Sequence, residues 1–134
     1  MMQHAFLIEL EDKPGALADV AEAIAAKGVN IVSLSGATCG ERSRVAIATD
    51  DEAGARAALS GAGATFQEME ITSVPLRHEP GSLAKAARQL ANAGVNIESI
   101  LLLGMQGNDI DVGFITGDPS MAKSTLSGAA SMRA

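Results

Sequence analysis

The chain has 134 residues, with ten Lys and Arg against sixteen Asp and Glu (formal net charge −6), 47% hydrophobic and only 2% aromatic content. Its basic residues form no cluster and its three phenylalanines are scattered, which argues against nucleic acid and anionic membrane as partners. A single cysteine, Cys39, excludes an internal disulfide framework and suits a reducing cytoplasm, and the longest aliphatic run, Ile100 to Leu103, is too short to span a bilayer.

Along the chain, Phe6, Ile8 and Leu10 alternate with Leu7, Glu9 and Glu11, the period of a strand with one wetter face. Asp12 and Lys13 turn the chain, and Pro14 suits a first helical turn. Leu17, Val20, Ala21, Ile24 and Ala25 then form one stripe of an amphipathic helix, which Gly28 ends in a left-handed conformation. Residues 30–35 read as a second strand, 36–43 as a loop, and 44–49 as a third strand with Val45 and Ile47 inward. Asp50 or Asp51 caps an alanine-rich helix reaching about Leu59, in which Gly54 costs about 1 kcal/mol relative to alanine. Residues 65–71 form a fourth strand.

The same order then repeats. Pro14, Gly15, Gly28 and Asn30 recur as Pro80, Gly81, Gly94 and Asn96, at a constant offset of 66 residues. Beyond the second strand the offset is 67, relating Val45 to Val112, Asp51 to Asp118 and Leu59 to Leu126, so one residue has been gained between the second and third strands. Asp118-Pro119 supplies a cap and an N1 proline for the last helix. The expected fold is α+β: two ferredoxin-like βαββαβ modules, residues 1–71 and 72–134, each with both helices on one face of an antiparallel four-stranded sheet. The offset carries Ala134 back to Gln67, so the second module is expected to lack most of its last strand. Modules this small bury only about 60% of their unfolded surface and are marginal alone. They are therefore expected to share an interface and to form a homodimer. The strand at 73–77 would be an open edge, covered by a second copy or by the connecting strand around residues 66–71.

Catalytic readings fail on motif. Neither His4 nor His78 sits in a nucleophile motif, and no G-x-S-x-G occurs. His78-Glu79 lacks the second histidine of a zinc hydrolase, no C-x-x-C exists, and the glycines form no phosphate-cradling pattern. No enzyme, no cofactor and no metal site is expected. A binding reading fares better. At each Pro-Gly the chain passes from strand to helix, where the N–H groups of Gly15, Ala16 and Leu17 and the helix dipole favour an anion. Asn30, opening the next strand, offers an amide to the same ligand, so a small amino acid suits the turn. The same residues also read as a plain strand-to-helix turn followed by a helix stop.

A strand, then Asp12-Lys13-Pro14-Gly15-Ala16-Leu17, a helix and Gly28-Val29-Asn30-Ile31 resembles the ACT domain, a regulatory amino-acid-binding module. His78-Glu79-Pro80-Gly81-Ser82-Leu83 with Gly94-Val95-Asn96-Ile97 repeats the resemblance. The resemblance implies an effector amino acid bound at an interface between modules or subunits. Asp12, Pro14, Gly15, Ala16, Leu17, Asn30 and Ile31 would line one site. His78, Pro80, Gly81, Ser82, Leu83, Asn96 and Ile97 would line the other. Serine-binding members carry Asn two residues before the proline, where this chain has Asp12 or His78. The implied protein is a free-standing tandem ACT sensor that signals to a partner such as a metabolic enzyme. The alternative is a regulatory subunit, similar to the small subunit of acetolactate synthase, acting by protein contact.

Overall fold

The computed structural model describes residues 3–133. The elements are β1 (His4–Leu10), α1 (Ala16–Ala26), β2 (Ile31–Cys39), β3 (Arg42–Thr49), α2 (Glu52–Gly61) and β4 (Phe66–Glu70), followed by β5 (Thr72–Arg77), α3 (Ser82–Asn92), β6 (Ile97–Gln106), β7 (Asp109–Thr116) and α4 (Pro119–Arg133). They form two compact units that divide between Met69 and Glu70.

In the first unit the sheet order is β2-β3-β1-β4, the ferredoxin-like arrangement expected from two right-handed crossovers. Phe6 and Ile8 of β1 and Val45 and Ile47 of β3 bury one face beneath Val20 and Ile24 of α1 and Ala55, Ala58 and Leu59 of α2. Phe66 of β4 closes that core, its ring edge-on to Phe6 at 5.9 Å between centroids. Each large aliphatic so buried contributes about 1.5–3 kcal/mol of transfer free energy. The α1 stripe is narrower than its periodicity suggests: Val20 and Ile24 are buried, while Leu17 is 43% exposed and Ala25 lies in solvent.

The second unit repeats the pattern with three strands, ordered β5-β7-β6. Its core joins Val74 and Leu76, Ala86 and Leu90, Val112 and Phe114, and Ala122 and Leu126. The gained residue is located by the pairing: the β6–β7 register shifts between Leu102 and Gly104, so Leu103 forms a bulge. The stub of a last strand at Ala134 falls outside the described residues. The connecting strand does not cover β5, because β4 is hydrogen-bonded beside β1 in the first sheet. Among the described residues β5 therefore has a strand on one side only.

Three local readings are corrected. Residues 36–43 are not a loop: β2 and β3 pair continuously from Ser33–Ala48 to Cys39–Arg42 around a two-residue turn, with Gly40 at φ 63°. Pro14 is not in the helix. It stands in the preceding turn, and α1 opens on Gly15 as N-cap at φ 92° without a side-chain cap, as α3 opens on Gly81. Gly54 is not interchangeable with alanine in α2, because a Cβ there would lie 2.5 Å from Asp51 Oδ2 and 2.7 Å from Val29 Cγ2. The helix start packs too closely for alanine, and Asp51 is the cap, accepting from Gly54 N–H at 2.9 Å.

Candidate functional site

A groove of about 470 Å³ opens in the first unit beside the β1–α1 turn. Glu11, Asp12 and Lys13 form one wall, Ala16 and Leu17 of the α1 start another, and Leu34, Gly36, Thr38 and Ser43 of the β2–β3 hairpin the floor. The pairing explains why these side chains share a face. Leu34 lies opposite Ile47 and Gly36 opposite Val45, and Ile47 and Val45 point into the core beneath the helices. Alternation then puts Thr38 on that face too. Its hydroxyl lies 2.6 Å from that of its register partner Ser43. Gly36 leaves the middle of the floor open.

The wall is charged in both senses. Lys13 Nζ stands 3.0 Å from Glu11 Oε2, a solvent-exposed pair. The hydrogen bond and charge of Glu11 hold the Lys13 ammonium above its ordinary range. Asp12 is exposed beside it. At the helix start, Ala16 N–H is engaged by Lys13 O at 3.4 Å, so it is less free than the sequence suggests. The left-handed Gly15 takes the place that a capping Ser or Asp would fill. A volume within the range of small-molecule sites, hydroxyls on the floor and both signs of charge at the rim suit a small zwitterion.

The structure brings together only part of each expected site. Asp12, Ala16 and Leu17 line the groove, with Pro14 and Gly15 in the adjoining turn. Asn30 and Ile31 do not join them. They follow the far end of α1, and an 11-residue helix sets that end about 16 Å from Gly15. There Asn30 N–H donates to Asp50 Oδ1 at 2.9 Å and Asp50 N–H donates to Asn30 O at 3.1 Å, tying β2 to the end of β3. The second unit is laid out alike: His78, Pro80 and Gly81 are exposed at one end with Ser82 and Leu83 opening α3, and Asn96 and Ile97 follow the other end. Leu34, Gly36, Thr38 and Ser43 were not foreseen. The signal for them is the Gly40-Glu41 pair between two alternating runs, which marks a hairpin.

Residues 4–60 match the model of the ACT domain. The first unit is an ACT domain. The groove therefore lies at the strand–helix turn of an ACT domain, and the second, ACT-like unit repeats its topology short of the last strand. Whole-chain likenesses among solved structures agree on the fold. A Bacteroides thetaiotaomicron protein superposes with TM-score 0.80 at 23% identity, over 96% of this chain and 89% of that one. The regulatory subunit of aspartate kinase from Thermus thermophilus, in its ligand-free form, gives TM-score 0.66 at 24% identity, over 97% and 93%. The aspartate kinase of Clostridium acetobutylicum gives 0.58 at 15%, over 96% of this chain and 33% of that one. Among curated proteins, none matches the sequence. No helix among the described residues is long and apolar enough to cross a membrane. No cluster of described His, Cys, Asp and Glu residues could hold a metal ion.

Proposed function

We propose that this chain is a non-catalytic cytoplasmic sensor that binds a free amino acid at the β1–α1 turn and passes its state to a metabolic enzyme. The observation that carries this reading is the groove itself. It is open, floored by Gly36 and the Thr38–Ser43 hydroxyls, and set against the uncapped start of α1 in an ACT domain.

The distance between Asn30 and the groove supports a homodimer. β2 is an outer strand of its sheet, and it exposes Val32 and Leu34. If two copies pair along β2 antiparallel, the Asn30 end of one strand lies beside the Thr38 end of the other. The groove of each copy is then completed by Asn30 and Ile31 of its neighbour, which one chain alone does not achieve. Ligand bridging two copies stabilises the assembly by RT ln(1 + [L]/Kd).

A thermal-shift screen with each of the twenty common amino acids at millimolar concentration tests the reading. At least one is expected to raise Tm by several degrees, and no shift with any of them rejects it. A second reading, a regulatory subunit acting by protein contact alone, is favoured by the exposed Leu83, Leu102 and Met105 of the second unit. It gains if the screen is negative.

A further inference from the structure

The repeat allows the two units to be compared position by position at the groove floor. In the first unit Gly36 lies opposite Val45 and Thr38 opposite Ser43. In the second, Leu102 lies opposite Val112 and Met105 opposite Ile110. Val112 and Ile110 are the partners of Val45 and Ser43 at the 67-residue offset, so Leu102 stands where Gly36 does, and Met105 and Ile110 stand where the hydroxyl pair does. Leu83 likewise corresponds to Leu17. The bulge at Leu103 keeps Met105 in step with Thr38 despite the extra residue.

These substitutions change the chemistry of the floor. Leu102 puts an isobutyl group, 61% exposed, where Gly36 of the first unit has only a hydrogen. Met105, 59% exposed, and Ile110 replace two hydroxyls with groups that neither donate to a carboxylate nor accept from an ammonium. A zwitterion placed there would lose water without regaining hydrogen bonds.

We propose that each chain holds one amino acid, in the first unit only, and that Gly36, Thr38 and Ser43 determine this selectivity. This inference rests on the amino-acid reading above. The second unit's turn has the same backbone, including Gly81 at φ 92°. It is excluded as a ligand site by its floor.

The test is isothermal titration of the full chain with the amino acid that gives the largest thermal shift. One ligand per chain is expected. Gly36→Leu, which gives the first floor the second unit's side chain, is expected to weaken binding about tenfold or more. Gly36 is not in a left-handed conformation, and a Cβ there meets Arg44 O at 3.3 Å and Val45 side-chain atoms at 3.5 and 3.6 Å, so the Arg44 carbonyl must give by a few tenths of an ångström and far-UV circular dichroism checks that the fold is retained. The double variant Thr38→Met/Ser43→Ile leaves Gly36 in place and is expected to lose affinity by the same order. Leu102→Gly is expected to leave affinity and stoichiometry unchanged. Two ligands per chain, wild-type affinity in both first-unit variants, or lost binding in Leu102→Gly would overturn the assignment while leaving the sensor reading intact. If no amino acid binds at all, both fall together.

Discussion

Glu52 shows how much one side chain at a helix start can hold in place. Gln3 and His4 donate their backbone N–H groups to its Oε2 at 2.9 and 3.0 Å, and His4 Nδ1 lies 3.0 Å from Oε1. Burial opposes the charge, but those two amides and the His4 ring outweigh it and hold the Glu52 carboxyl below its ordinary range. A carboxylate whose folded-state pKa lies below its unfolded value of about 4.3 stabilises fully above that value. That stabilisation is lost as pH falls through the lower folded value. Glu52→Gln is therefore expected to cost about 1 kcal/mol at neutral pH. The gap between variant and wild type should close on acidification below about pH 4, as followed by urea denaturation. A gap independent of pH would show that shape, not charge, ties β1 to α2. Nothing in the sequence near Glu52 announces this tie, because its partners lie 48 and 49 residues away. The caps Asp51 and Asp118, which accept from residues three positions on, were legible for the converse reason.

Among the elements, the strands that open the two units differ at one edge position. In the first unit Glu9 N–H donates to Thr65 O at 2.9 Å, holding the chain that leads into β4 beside β1. The 66-residue offset places Pro75 at the corresponding point of β5, and proline has no N–H to donate. Position 75 of β5 thus offers no N–H where the first unit uses one, as prolines at strand edges commonly do. A second copy pairing along β5 would have to do so without a donor from Pro75. Pro75→Val restores the donor and is expected to make the apparent mass by light scattering rise with concentration, with far-UV circular dichroism unchanged. An unaltered mass would mean that other groups guard the edge. The β2–β3 hairpin teaches a different lesson. Its small polar residues resemble a loop in composition, and only cross-strand pairing reveals that Gly36, Thr38 and Ser43 are fixed on one face.

For the whole molecule, the proposed site needs Asn30 to be supplied to the groove by a second copy. Pairing of β2 with its copy predicts a dimer, and Val32 provides a test because it is 40% exposed on β2 and does not line the groove. Val32→Lys places a charge on that edge and is expected to give a monomer at micromolar concentration. The amino-acid thermal shift should be lost with the dimer. A persistent dimer would move the interface elsewhere, and a monomer that still binds would show that Asn30 is dispensable. The sequence by itself determined the repeat, the βαββαβ order, the glycine-ended helices and the Pro-Gly turns, because each depends on neighbours within a few residues. Tertiary structure decided that Asn30 lies a helix length from Gly15 and that Leu17 faces solvent. It also decided that the second floor is apolar where the first carries hydroxyls. Those facts depend on which strand lies opposite which, and strand register is set by packing across the sheet rather than by residues adjacent in the chain.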